Sequence, residues 1–259
     1  MTGEPRASAR TSSAAILAAG LCLALAASLP ACAGPVASLQ GLFGHHAKDG
    51  RDAAPTIGRY VSEDGDVFTL DRTGAKALLK FDGAFEVWAL QPQQAPRGDT
   101  IYKNDLGEPV LRATRLGGIT IFTEHRPDGE AAALAGPGQP LRLPIMGSQA
   151  VLERLTQASF RASHALRRLV RFEAEGSATS SALMADAALV TSEAMVRLAK
   201  RGDARKVLDK IVVVHLIEGP RAGVDLVSDG VLQITVATPQ GLAGRPSSDR
   251  IQQVAQGFR

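Results

Sequence analysis

The sequence predicts an α+β protein: an N-terminal antiparallel β meander, curled as a sheet or half barrel, then a helical hairpin and a small C-terminal β hairpin. Three observations carry that reading. Residues 56–125 alternate short apolar runs with turn residues, the pattern of strands paired in chain order. Residues 148–200 switch to apolar steps of three and four, the period of one helix face. Between them, residues 126–147 carry Pro127, Gly129, Gly136, Pro137, Gly138, Pro140 and Pro144. Proline removes a backbone donor and restricts the residue before it, so this stretch reads as a linker.

Ahead of the meander lies a segment that belongs to no domain. Arg6 and Arg10 precede an apolar run from Ala14 to Leu29 that gives out at Pro30. A positive start, an apolar middle and small residues at the exit are what a secretory signal requires. The run is Ala-rich and shorter than the ~20 strongly apolar residues of a membrane-spanning helix. Residues 1–33 are therefore expected to be a signal peptide, and no later stretch reads as a transmembrane span. Two cleavage points are open. Leu29-Pro30-Ala31-Cys32 resembles a lipobox, which would lipidate Cys32, and ordinary cleavage after Ala33 would leave Gly34 first. Cys22 and Cys32 are the only cysteines, so the body can hold neither a disulfide nor a thiolate metal site. Residues 34–55, with His45 and His46, read as a flexible tether.

In the meander, Arg59 to Glu63 and Val67 to Asp71 flank Asp64-Gly65, a dipeptide suited to a tight hairpin because glycine accepts positive φ. Asp71-Arg72-Thr73-Gly74 leads into Ala77 to Phe81, and Asp82-Gly83 into Phe85 to Leu90. Thr100 to Lys103, Val110 to Thr114 and Ile119 to Thr123 complete seven strands, joined by Asn104-Asp105-Leu106-Gly107 and Gly117-Gly118. No room is left for crossover helices, so neighbours should pair in order.

Beyond the linker, residues 148–238 read as the α-hairpin plus β region. Val151, Leu155, Ala158, Ala162, Ala165 or Leu166, and Leu169 define one helical stripe; Leu183, Ala187, Ala194 and Leu198 define another over Ser180 to Lys200. The Ala-rich face lets the two helices approach closely. Ile211 to Glu218 reads as a strand, and Val224 to Val227, Asp229-Gly230 and Leu232 to Ala237 as a hairpin. Residues 239–259 read as a polar tail with a short helix near Asp249 to Gln256.

Removing Arg6, Arg10 and Glu4 with the leader moves the net charge only from +3 to +2, too mild to demand a nucleic-acid partner. No cofactor, phosphate-loop, nucleophile-elbow or zinc motif is present. The densest functional cluster is Arg97, Asp99, Tyr102, Asn104, Asp105 and Glu108. On a hairpin, Asp99 and Glu108 could meet across the turn and divide acid and base roles. The same residues are also ordinary turn chemistry, because Asx side chains bond their own backbone. A second surface is the line Arg154, Arg161 and Arg168, flanked by His164 and Arg171. It forms a cationic ridge suited to anionic lipid, cell-wall polymer or an acidic envelope protein, or else a solvated face.

The segments Gly58-Arg-Tyr-Val-Ser-Glu, Phe68-Thr-Leu-Asp-Arg, Ala77-Leu-Leu-Lys-Phe, Glu86-Val-Trp-Ala-Leu, Pro96-Arg-Gly-Asp, Gly107-Glu-Pro-Val-Leu-Arg-Ala-Thr-Arg-Leu-Gly-Gly and Gly241-Leu-Ala-Gly-Arg-Pro-Ser-Ser carry a resemblance. They resemble an uncharacterised family of exported bacterial proteins, catalogued as a domain of unknown function. The resemblance implies export and one shared architecture, and no catalytic residue. The expectation is a non-enzymatic periplasmic or envelope-attached binding or assembly factor. The alternative is a carboxylate-dependent hydrolase of an envelope polymer, working through Asp99 and Glu108.

Overall fold

The computed structural model describes residues 55–201, 208–227 and 230–257. The leader, Cys32, His45 and His46 lie outside the described residues. The meander is β1 (Ile57–Ser62), β2 (Val67–Asp71), β3 (Ala77–Phe81), β4 (Trp88–Gln94), β5 (Thr100–Lys103), β6 (Pro109–Ala113) and β7 (Ile119–Ile121). Each strand pairs antiparallel with the next. The Asp64-Gly65 turn forms, with Gly65 at φ 90° and its N–H donating to the Ser62 carbonyl at 3.0 Å.

The sheet does not stop at a curl. An eighth strand, β8 (Glu130–Pro137), pairs with β7 on one side and β1 on the other, closing an eight-stranded barrel. It lies inside the stretch whose prolines and glycines read as linker. The sequence hides it because Glu-Ala-Ala-Ala-Leu-Ala-Gly-Pro has weak strand propensity and no alternation. What makes it a strand is the pair of unsatisfied edges on β1 and β7, which full closure removes. Tyr60, Phe68, Leu70, Leu79, Leu90, Leu111 and Ile121 are buried within the barrel cluster. Their side chains fill the barrel, which is a packed core rather than a ligand chamber.

The second half contains α1 (Ser148–Leu166), β9 (Arg171–Glu175), α2 (Ser181–Ala199), β10 (Val213–Glu218), β11 (Gly223–Val227), β12 (Val231–Val236) and α3 (Ser248–Ala255). The two helices pack together, with Ala158 and Ala162 of α1 and Ala187, Ala188 and Ala194 of α2 all buried in one core. They are not a simple hairpin, however, because β9 intervenes and pairs parallel with β10. Its sequence, Arg-Phe-Glu-Ala-Glu, buries only Phe172, so it carries no alternation to read. The sheet order is β11-β12-β10-β9, with β10 and β12 parallel and β11–β12 an antiparallel hairpin. The region read as a polar tail is likewise structured: Ile251 and Ala255 of α3 insert into the core.

Candidate functional site

The junction between barrel and α/β half is built from residues distant in the chain. Phe85, Glu86 and Val87 read as the start of a strand, yet β4 begins only at Trp88. All three instead face the other half. The Arg161 guanidinium lies 4.6 Å from the Phe85 ring centroid. Ser248 donates its N–H (2.9 Å) and hydroxyl (2.5 Å) to the Glu86 carboxylate. Arg245 donates Nη2 to the Val87 carbonyl at 2.9 Å and bonds Asp186 of α2 through Nε. Its Nη1 lies 3.6 Å from Glu86, and both side chains are 2% exposed. A charge so buried is tolerated only when paired and bonded. Here one cation is shared by two carboxylates and two carbonyls.

Asp249, at the second position of α3, sits beside this network, 4.0 Å from Arg197. Burial pushes its pKa up to about 6, with Glu86, Glu108 and Glu124 adding repulsion and Arg197 opposing.

Above the junction opens a groove of about 900 Å³. One wall is the run from Arg221 to Leu226 and the other is α3 with Arg250, while Lys76 and Asp105 come from the barrel. Asp105 is occupied, accepting from the Ser247 N–H (2.9 Å) and hydroxyl (2.5 Å). Lys76 and Arg221 have no hydrogen-bond or ion-pair partner among the described residues. Arg250 bonds the neutral Gln253 side chain at 3.1 Å. Asp105 and Asp225 thus stand against Lys76, Arg221 and Arg250, none of them neutralised by an ion pair among the described residues, so cations exceed carboxylates by one. In a concave site with protein walls such an imbalance focuses a positive field.

The residues singled out in the sequence are placed differently. Asp99 and Glu108 do not meet. Asp99 precedes β5 and Glu108 precedes β6, and Thr100 pairs with Ala113 while Lys103 pairs with Pro109. The carboxylates therefore lie at opposite ends of the hairpin, ~10 Å or more apart by strand rise. Asp99 accepts two bonds from Arg112 and one from the Arg115 N–H. The Arg112 bonds hold its carboxyl below the usual range, against the effect of burial. Arg97 occupies a left-handed position, φ 67°, in the turn beside it. Tyr102 is buried in the barrel core. Asn104 caps its own turn, accepting from the Leu106 and Glu108 N–H groups and donating to the Glu108 carboxylate.

The arginine line is broken too. α1 ends at Leu166 with Arg167 at φ 55°, so Arg168 and Arg171 leave the helix. Arg161 pairs with Glu193, and Arg168 donates to the Leu208 and Ile211 carbonyls. Arg171 pairs loosely with Glu173 at 3.4 Å, and Arg154 bonds Gln157. His164 stacks on Phe160 at 6.2 Å between centroids. What remains outward is no continuous cationic ridge.

Sequence reasoning missed the groove because Lys76, Arg221 and Arg250 are isolated in the chain. It did hold one clue: the segments beginning at Glu86 and at Gly241, both part of the family resemblance, meet through Glu86, Arg245 and Ser248. The fold and groove together define a mixed α+β protein in which a filled eight-stranded barrel is fastened to a helix-covered sheet. Residues 38–255 match the family described as a domain of unknown function (DUF4908), and the chain belongs to that family. No curated protein and no solved structure matches it. No helix among the described residues is long and apolar enough to cross a membrane.

Proposed function

We propose that this is a non-enzymatic binding or assembly factor, exported to the periplasm or held at the cell envelope, which engages an anionic envelope component through the junction groove. The observation that supports this reading most is the set of cations, Lys76, Arg221 and Arg250, gathered on three separate elements around one concavity. Arg161, Arg168 and Arg245, by contrast, are committed to bonds within the fold. The hydrolase alternative loses its structural basis when Asp99 and Glu108 stand at opposite ends of their hairpin.

Binding of three probes tests the reading: an acidic peptide, vesicles containing anionic phospholipid, and a soluble anionic cell-wall polymer. At least one should bind and weaken with added salt. Lys76→Glu/Arg221→Glu should lower that affinity by about tenfold or more, because two attractive charges become repulsive. Arg154→Glu/Arg171→Glu should leave it unchanged. Failure of all three probes, or loss in the second variant and not the first, refutes the groove.

A further inference from the structure

The strand β11 is an outer member of its sheet: β12 pairs one side, and no described strand pairs the other. Its outer backbone groups have no other hydrogen bond among the described residues. The groove touches Arg221, Ala222, Gly223, Val224, Asp225 and Leu226 without a gap. Side chains of a strand alternate between faces, so a cavity lying against one face touches every second residue. Contact with each residue in turn means that the groove follows the strand's edge. The facing wall is α3, through Arg250, Gln253 and Val254.

A free strand edge opposite a helix is a slot for an extended chain. Main-chain bonds form to the strand, and side chains pack on the helix. The slot runs for ~20 Å, the length of about six extended residues. Leu226, 39% exposed, offers apolar contact along it. Charge selects the occupant: Arg221 stands at the start of the edge, Lys76 on the barrel side and Arg250 on the helix, three cations against the two carboxylates Asp105 and Asp225. An open edge invites indiscriminate pairing. The α3 wall and the Asp225 charge restrict which chains enter.

We propose that β11 is the docking edge for an extended acidic peptide segment of a partner protein, which adds to the sheet as a fifth strand within the groove. This rests on the groove being the binding site, and the test separates the two claims. A labelled peptide of alternating Glu and Val is titrated into the purified protein by fluorescence anisotropy. Parallel titrations use the same peptide N-methylated at alternate amides, in both registers, a Lys-Val peptide, and anionic vesicles.

The Glu-Val peptide should bind and the Lys-Val peptide should not. One N-methylated register should lose about tenfold or more, since each of several main-chain bonds contributes ~1 kcal/mol. Hydrogen exchange at residues 223–227 should slow when the parent peptide is bound. Equal binding of the parent and both methylated peptides, with Lys76→Glu/Arg221→Glu still weakening it, overturns strand addition and leaves the groove standing. Unchanged binding to that variant overturns both claims. Binding of vesicles but not of the Glu-Val peptide overturns the peptide as occupant.

Discussion

Replacing Arg245 with methionine removes a cation from a position where its side chain is 2% exposed, and leaves Glu86, equally buried, without its counter-charge. Asp186 loses its partner as well, and the Val87 carbonyl loses its donor. Removing one member of a buried ion pair costs about 3–5 kcal/mol, mainly because the surviving charge stays desolvated. The two bonds from Ser248 still satisfy part of Glu86, and Asp186 reaches solvent at 19% exposure. The lower end, about 3 kcal/mol, is therefore expected, a large share of the ~5–15 kcal/mol that holds a typical domain together.

Urea unfolding at pH 7 measures this cost. Trp88, the chain's single tryptophan, follows Glu86 and Val87 and reports the barrel side of the junction, while helix ellipticity reports the other half. The midpoint should fall in both signals, and the barrel and helix transitions should separate. Adding Glu86→Gln should recover about 1–2 kcal/mol by removing the orphaned charge. A loss below about 1 kcal/mol, or a double variant no more stable than the single one, would refute the assignment of Arg245 as the clamp between the halves.

Asp249→Asn should stabilise the protein by about 1–3 kcal/mol at pH 7. Asp249 titrates near 6 in the fold against 3.8 ordinarily, so stability contributed by its protonated form is lost as pH climbs through that window. Below pH 3.8 the gain should vanish, as paired melts at pH 3.5 and 7 would show. Arg168→Ala should cost about 1–3 kcal/mol, since two carbonyls, of Leu208 and Ile211, lose a charged donor; denaturant titration reads it. Gly230→Ala should cost a similar ~1–3 kcal/mol. The backbone there sits at φ 77°, and an added Cβ would lie 2.1 Å from the Lys210 carbonyl oxygen. Mass measurement of the protein recovered from the envelope should find a start at Gly34 or a lipidated Cys32. Material beginning at Met1 would remove the basis for export.

The local half of this architecture was written in the chain. Strands β1, β2, β3, β5, β6 and β7 follow from apolar runs separated by turns such as Asp64-Gly65 and Asn104-Asp105-Leu106-Gly107, because a hairpin needs only neighbouring residues. The α1 and α2 stripes were equally legible through Ala158, Ala162, Leu183, Ala187, Ala194 and Leu198. The tertiary structure alone decided the rest. An Ala-rich stretch became β8 because β1 and β7 left edges to be satisfied, and Arg-Phe-Glu-Ala-Glu became β9 because β10 offered a parallel partner. Periodicity reports burial of side chains, and neither strand buries enough of them to leave a pattern. Glu86, Asp186, Arg245 and Ser248, or Lys76, Arg221 and Arg250, gain meaning only when folding brings distant charges into one place. Electrostatic coupling depends on separation in space, which a linear order of residues does not contain.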